Sequence, residues 1–120
     1  MGLQIATRKS GDVVILDLSG RAVIGQSNEA LNTELRKQIA AGAQKVLVNL
    51  ASVTQMDSSG ISTLVRTFVS LERGGGSLRL LGPRGHVRAV LELTRLIQSI
   101  PTFDVEAEAI ASFGQAARAK

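Results

Sequence analysis

The sequence predicts an α/β fold. It reads as a single domain over residues 1–120, with a mixed, mostly parallel sheet of four to five strands and about four helices packed on it. Three observations predict this. Short apolar runs alternate with longer segments in which apolar residues recur every three or four positions. The connections are short and rich in Gly, Pro, Ser and Asp. One run, residues 45–50 (KVLVNL), is almost continuously apolar, as a strand buried on both faces is. Strands alternating with helices across short loops build parallel strands with covering helices.

Taken in order, residues 3–7 read as a short strand and Ser10, Gly11 and Asp12 as a turn. Residues 13–18 (VVILDL) are a second strand, ended by Ser19 and Gly20, so the pair forms an antiparallel hairpin. Ser27 is placed to cap a helix through about Ala41, with Leu31, Leu35 and Ile39 as its apolar stripe and Gly42 as its C-terminal stop. After the apolar strand at 45–50 comes a short polar turn ending in Asp57, Ser58, Ser59 and Gly60. A helix follows, with Ile61, Leu64, Val65, Phe68 and Leu71 on one face, until Gly74, Gly75 and Gly76 stop it. Residues 78–81 are another strand, closed by Gly82 and Pro83. Residues 87–97 form a third helix with Val90, Leu91, Thr94 and Leu96 or Ile97 inward. Pro101 breaks the chain, residues 103–105 form a short last strand, and residues 106–118 a final helix carrying Ile110 and Phe113.

Composition removes several function classes. Hydrophobic residues make up 44% and charged ones 20%, which suits a soluble globular domain. Aromatics are 2%, so base stacking on aromatic platforms has almost nothing to work with. With no Cys, thiol nucleophiles, thiolate metal sites and disulfides drop out. One His and no close carboxylate cluster leave no credible metal site, and no cofactor is expected. No leader or membrane span is read, so the expected location is cytoplasmic. The net charge of +4 is compatible with an acidic partner and does not by itself indicate nucleic acid. Arg73, Arg79, Arg84, Arg88 and Arg95 bias the later half, and are read as solvated surface charge.

The four residues from Asp57 to Gly60 carry the chemistry. A carboxylate and two hydroxyls meet a helix N-terminus, where N–H groups point outward and the macrodipole is positive. Asp57 or Ser58 can cap that helix, which is the purely structural role. The turn also lies at the carboxyl end of the strand expected to be central, the edge where open α/β sheets place their ligands. Gly60 lets another backbone or a nucleotide approach closely. A phosphate on Ser58 would add charge that the helix end tolerates and a docked partner does not.

The β-β-α-β-α-β-α-β-α order, the stretch VLVNLASVTQMDSSGISTLV, the run GGGSLRLLGP and the later VRAVLELTRL resemble a STAS domain over essentially the whole chain. More specifically, the sequence is similar to the stand-alone anti-sigma factor antagonists of bacterial partner-switching systems. The resemblance implies that Ser58 is a phosphoacceptor for an anti-sigma factor with serine kinase activity, which uses ATP and Mg²⁺. Unphosphorylated, such a domain binds the kinase and frees the sigma factor; phosphorylated, it lets go, and a separate phosphatase resets it. Asp57, Ser59 and Gly60 would shape the docking surface. The loop after the second strand, which also faces the kinase in this family, departs from the common pattern: Arg21 stands where an acid is usual and Val23 where an Asp is usual. That change points to a different, more acidic partner or to another signalling complex.

Other readings have less behind them. A serine hydrolase would need a base beside Ser58 or Ser59, and nothing places His86 there; a G-x-S-x-G elbow is also missing. Gly74, Gly75 and Gly76 lack the Lys-Ser/Thr ending of a phosphate loop. The protein is therefore read as no enzyme. The competing reading is a STAS-like binding subunit of a regulatory or transporter complex, with Ser58 serving as a cap and contact only.

Overall fold

The chain enters its sheet through the expected hairpin. The computed structural model describes the backbone of residues 2–23 and 26–118, and the side chains of these residues apart from 26–27 and 114–118. Strand β1 (Leu3–Ser10) runs antiparallel to β2 (Val13–Ala22), in register from Leu3 opposite Gly20 to Ser10 opposite Val13. Gly11, at φ +60°, takes the first position of the two-residue loop, the conformation that a tight hairpin needs and glycine supplies.

From there every pairing is parallel. Helix α1 (Gln26–Ala40) leads to β3 (Lys45–Met56), and α2 (Ser58–Arg73) leads to β4 (Ser77–Leu81). Helices α3 (Gly85–Leu93) and α4 (Leu96–Ser99) then lead to β5 (Thr102–Phe103), and α5 (Glu106–Arg118) closes the chain. The strand order is β1-β2-β3-β4-β5. With each new strand added on the same side, right-handed crossovers put their helices on one face. That face holds the main core: Leu16, Leu18, Val48, Leu50, Leu78 and Leu80 of the strands meet Leu31 and Leu35 of α1, Leu64 and Leu71 of α2, and Val87 and Leu91 of α3. The alternate residues of the same strands, Val13, Ile15, Leu47 and Leu81, point the other way and are covered by Ala109 and Phe113 of α5.

Several boundaries differ from the sequence expectation, each for a physical reason. The central strand does not stop at Leu50 but runs to Met56, and β2 runs through Gly20 to Ala22. The extension pairs β2 with β3 as far as Ala22 opposite Met56, with irregularities after Asp17 and at Gly20 that bend the ribbon. Val53 and Met56 are buried while Ser52, Thr54 and Gln55 are exposed, so a half-exposed strand had the composition of a turn. The third helix is two: Arg95 adopts the left-handed conformation, φ 63°, and separates α3 from α4. Thr94 is therefore exposed rather than inward, its hydroxyl donating to Val90 O at 2.8 Å. The last strand begins one residue earlier and ends at Phe103. Helix α1 has begun by Gln26, ahead of the expected cap Ser27, whose side chain lies outside the described residues.

One charge is not where solvated charge belongs. Arg79 is 7% exposed, with its guanidinium 4.8 Å from the Phe113 ring centroid and its Nε donating to Ser112 Oγ at 3.0 Å. Burial pulls its pKa down from the usual arginine value, partly offset by the nearby charge of Glu72. It fastens α5 to β4 by stacking.

Candidate functional site

The site is assembled where the long β2–β3 ribbon delivers the chain to α2. Met56, the last residue of β3, is buried; Asp57 turns the chain in an extended conformation (φ −108°, ψ −171°), and α2 starts at Ser58. Asp57 is the cap. Its carboxylate accepts from Ser59 N at 2.9 Å and Gly60 N at 3.4 Å, and from the Ser59 hydroxyl at 2.5 Å. Negative charge is thereby placed on the exposed N–H groups of the first turn.

The two serines are consequently unlike. Ser59 is half-buried with its hydroxyl committed to Asp57. Ser58 is exposed, and its hydroxyl has no hydrogen-bond partner among the described residues.

Gly60 is buried for a reason internal to the chain. A Cβ there would lie 2.7 Å from Ala22 O and 3.0 Å from Met56 Cγ. The close-approaching backbone is thus the end of β2, not an external ligand. The Asp57 N–H donates to the same Ala22 carbonyl at 3.3 Å. Ala22 is a member of the site that residue type could not reveal, because its contribution is a carbonyl that every residue has; only the small residue at Gly60 hinted at a close neighbour. Through Ala22 the structure brings Arg21 and Val23 alongside the turn: Arg21 lies opposite Gln55 and is exposed, and Val23 is half-buried. Gly20, Arg21 and Ala22 belong to β2 rather than to a loop after it.

A second unpredicted residue ties the turn to α1. The Thr63 hydroxyl, fully buried, donates to Asn28 Oδ1 at 2.7 Å and lies 3.1 Å from Ser59 O. Thr67 repeats the inward pattern one turn on, donating to Thr63 O at 2.8 Å. Beyond this region, His86 is exposed in the first turn of α3 and makes no hydrogen bond with either serine among the described residues. No group of three His, Cys, Asp or Glu able to hold a metal occurs among the described residues. No helix among them is long and apolar enough to cross a membrane.

This geometry, a polar turn capping a helix at the end of a long parallel strand, coincides with a sequence match of residues 4–109 to the STAS domain. The chain belongs to the STAS domain family. This STAS domain is 26% identical over 112 residues to a Bordetella bronchiseptica protein named "Putative anti-sigma factor antagonist BtrV", covering 92% of this chain and 95% of that one. A Thermotoga maritima crystal structure described in the same terms superposes with a TM-score of 0.85 at 24% identity, covering 91% of this STAS domain and 93% of that chain. The Bacillus cell fate determinant SpoIIAA in its phosphorylated form shares the fold at a TM-score of 0.71 and 23% identity, covering 91% of this chain and 98% of that one.

Proposed function

We propose that this STAS domain is an anti-sigma factor antagonist that works by partner switching. Unphosphorylated, it binds an anti-sigma factor with serine kinase activity and so frees the sigma factor. The kinase then transfers the γ-phosphoryl group of ATP to Ser58 Oγ: the Pγ–O bond to the β-phosphate breaks and leaves ADP, the hydroxyl proton passes to a base on the kinase, and the phosphorylated domain is released. A phosphatase returns it. The observation that carries this reading is the contrast between the serines: Ser58 offers an exposed hydroxyl without a partner among the described residues at the start of α2, while Asp57 already holds Ser59. The names of its relatives support the role, and a phosphorylated structure of the same fold supports the modification.

The chain's own part is presentation. Asp57 fixes the turn, and Gly60 with Ala22 fixes it against β2, so a phosphate on Ser58 changes charge and bulk at a rigid surface. That surface also includes Arg21 and Val23. The test is phosphate analysis of the native protein across growth conditions. A phosphorylated population that disappears in Ser58→Ala is expected, and Ser58→Glu is expected to weaken the kinase complex at least tenfold. Unmodified Ser58 under every condition, with equal binding by Ser58→Glu, would sink the reading. That result would favour a constitutive STAS subunit of a regulatory or transporter complex, a role to which the departures at Arg21 and Val23 lend support.

A further inference from the structure

Helix α2 does more than begin at Ser58. Its outer side carries a line of residues spaced four, three, four and four apart: Ser58, Ser62, Val65, Val69 and Arg73, which lie on one face of an α-helix, so Val65, expected inward with Leu64 and Phe68, faces outward instead. Val69 is 40% exposed, one of the few large apolar side chains left in solvent. Val65, Arg66, Val69, Ser70 and Arg73 line a shallow open groove of about 460 Å³. Its centre is apolar and its flanks are cationic.

Those two cations, Arg66 and Arg73, have no acidic partner among the described residues. Arg66 lies 3.5 Å from Thr63 Oγ1, and neither Arg66 nor Arg73 forms an ion pair among the described residues. Arg8, Lys45 and Arg88 each sit on a carboxylate; what sets Arg66 and Arg73 apart from other surface cations is the exposed Val69 between them. The only acid in α2, Glu72, lies within electrostatic reach of buried Arg79.

We propose that the outer face of α2 is a docking surface for an acidic amphipathic helix of a partner protein, laid along α2 from the Ser58 turn towards Arg73. This deepens, and rests on, the reading of Ser58 as the switch: the groove supplies the part of the contact that phosphorylation does not touch. The dimensions fit. At about 1.5 Å per residue, Val69 lies about 16 Å and Arg73 about 22 Å along the axis from Ser58, which a partner helix of four turns spans. Apolar residues of the partner would cover Val65 and Val69, and its flanking carboxylates would meet Arg66 and Arg73.

A second copy of this chain is a poorer occupant. Its own acidic-apolar stretch, with Val105 half-exposed between Asp104 and Glu106, belongs to the α5 side of the sheet, whereas α2 packs on the opposite face. Two copies joined in that way could not satisfy both patches reciprocally and would grow head to tail.

The experiment uses ¹⁵N-labelled full chain and two synthetic helices that share one apolar stripe, one flanked by Glu and the other by Lys. The Glu helix should perturb amides within 62–73, with binding weakened at least tenfold between low and 0.5 M salt; the Lys helix should not bind there. Arg66→Glu with Arg73→Glu should invert the preference, and Val69→Asp should abolish binding of both, with circular dichroism reporting an intact fold. Perturbations scattered over other basic residues, or a preference unchanged by the double reversal, overturn the proposal. So does concentration-dependent self-association in sedimentation that Val69→Asp removes. The titration uses unphosphorylated protein with no kinase present, so failure of the phosphorylation reading, seen only in the phosphate analysis, and failure of the groove are separately visible.

Discussion

At the residue scale, three side chains around the turn have distinct and separable jobs. Asp57 is the cap, and Asp57→Ala should cost about 1 kcal/mol, within the ~0.5–2 kcal/mol range of lost N-caps, measured by urea denaturation. Gly60→Ala sets two effects against each other. Alanine favours a helix by about 1 kcal/mol over glycine. The added Cβ, however, meets a backbone carbonyl held in place by the Asp57 N–H, and overpacking of this kind costs about 1–3 kcal/mol. The clash wins because the neighbour is main chain, so net destabilisation is expected, together with shifted amide resonances at 21–23. An unchanged spectrum in that segment would refute the coupling between the turn and the end of β2. The four residues 57–60 were legible in the sequence because capping chemistry is local. Ala22 and Thr63 were not: one acts through its carbonyl, and the other is a threonine whose burial depends on α1 arriving from thirty-five residues away.

At the element scale, α5 alone covers the second face of the sheet, and a polar clamp holds its start. Arg8 of β1 donates to Asp17 through Nε at 2.6 Å and Nη2 at 3.2 Å, and to Glu106 through Nη2 at 2.6 Å and Nη1 at 3.0 Å. Asn49 adds a donor to Asp17 at 2.8 Å. The Arg8 hydrogen bonds hold the pKa values of both Asp17 and Glu106 below the ordinary carboxylate range, with Asn49 helping at Asp17. Groups with lowered folded pKa values bind fewer protons folded than unfolded. Their contribution is therefore complete above the unfolded values, near 4, and is lost as pH falls below about 4. All three side chains are partly exposed, so solvent screens the effect. Hydrogen exchange should show amides of α5 losing protection below about pH 4 before those of α2 do. Arg8→Ala should produce the same order at neutral pH; equal protection of both helices at low pH would show that the clamp is idle. Periodicity made α5 and its Phe113 legible, but not the clamp, whose members lie as far as ninety-eight residues apart in sequence. Nor did periodicity reveal the break at Arg95, where apolar spacing continues across two helices separated by one left-handed residue.

For the whole molecule, the strand order leaves the site at the carboxyl end of the sheet, where Ala22 and Met56 close the main core beneath it and Ser58 faces outward. A negative charge at Ser58 meets a helix N-terminus that favours it and no buried group. Ser58→Glu is therefore expected to leave the thermal midpoint within about 4 °C of the wild type, the shift that corresponds to about 1 kcal/mol in a domain of this size. A larger fall would mean that binding losses in that variant report unfolding rather than switching. The overall class and strand–helix order could be read from the sequence because each rests on local periodicity; the true length of β3 could not, since its last residues are strand only by virtue of pairing with β2. β4 pairs with β3 only as far as Asn49, and from there the β2–β3 ribbon continues for about 23 Å without a strand on that side. The ribbon end is thereby a mounting whose tip can be rewritten while the hydrophobic interior stays as it is. On the proposed reading, lineages and protein engineers alike can change which partner is recognised by exchanging Arg21, Val23 and Ser58, while Ala22, Asp57 and Gly60 are held in place by the fold itself.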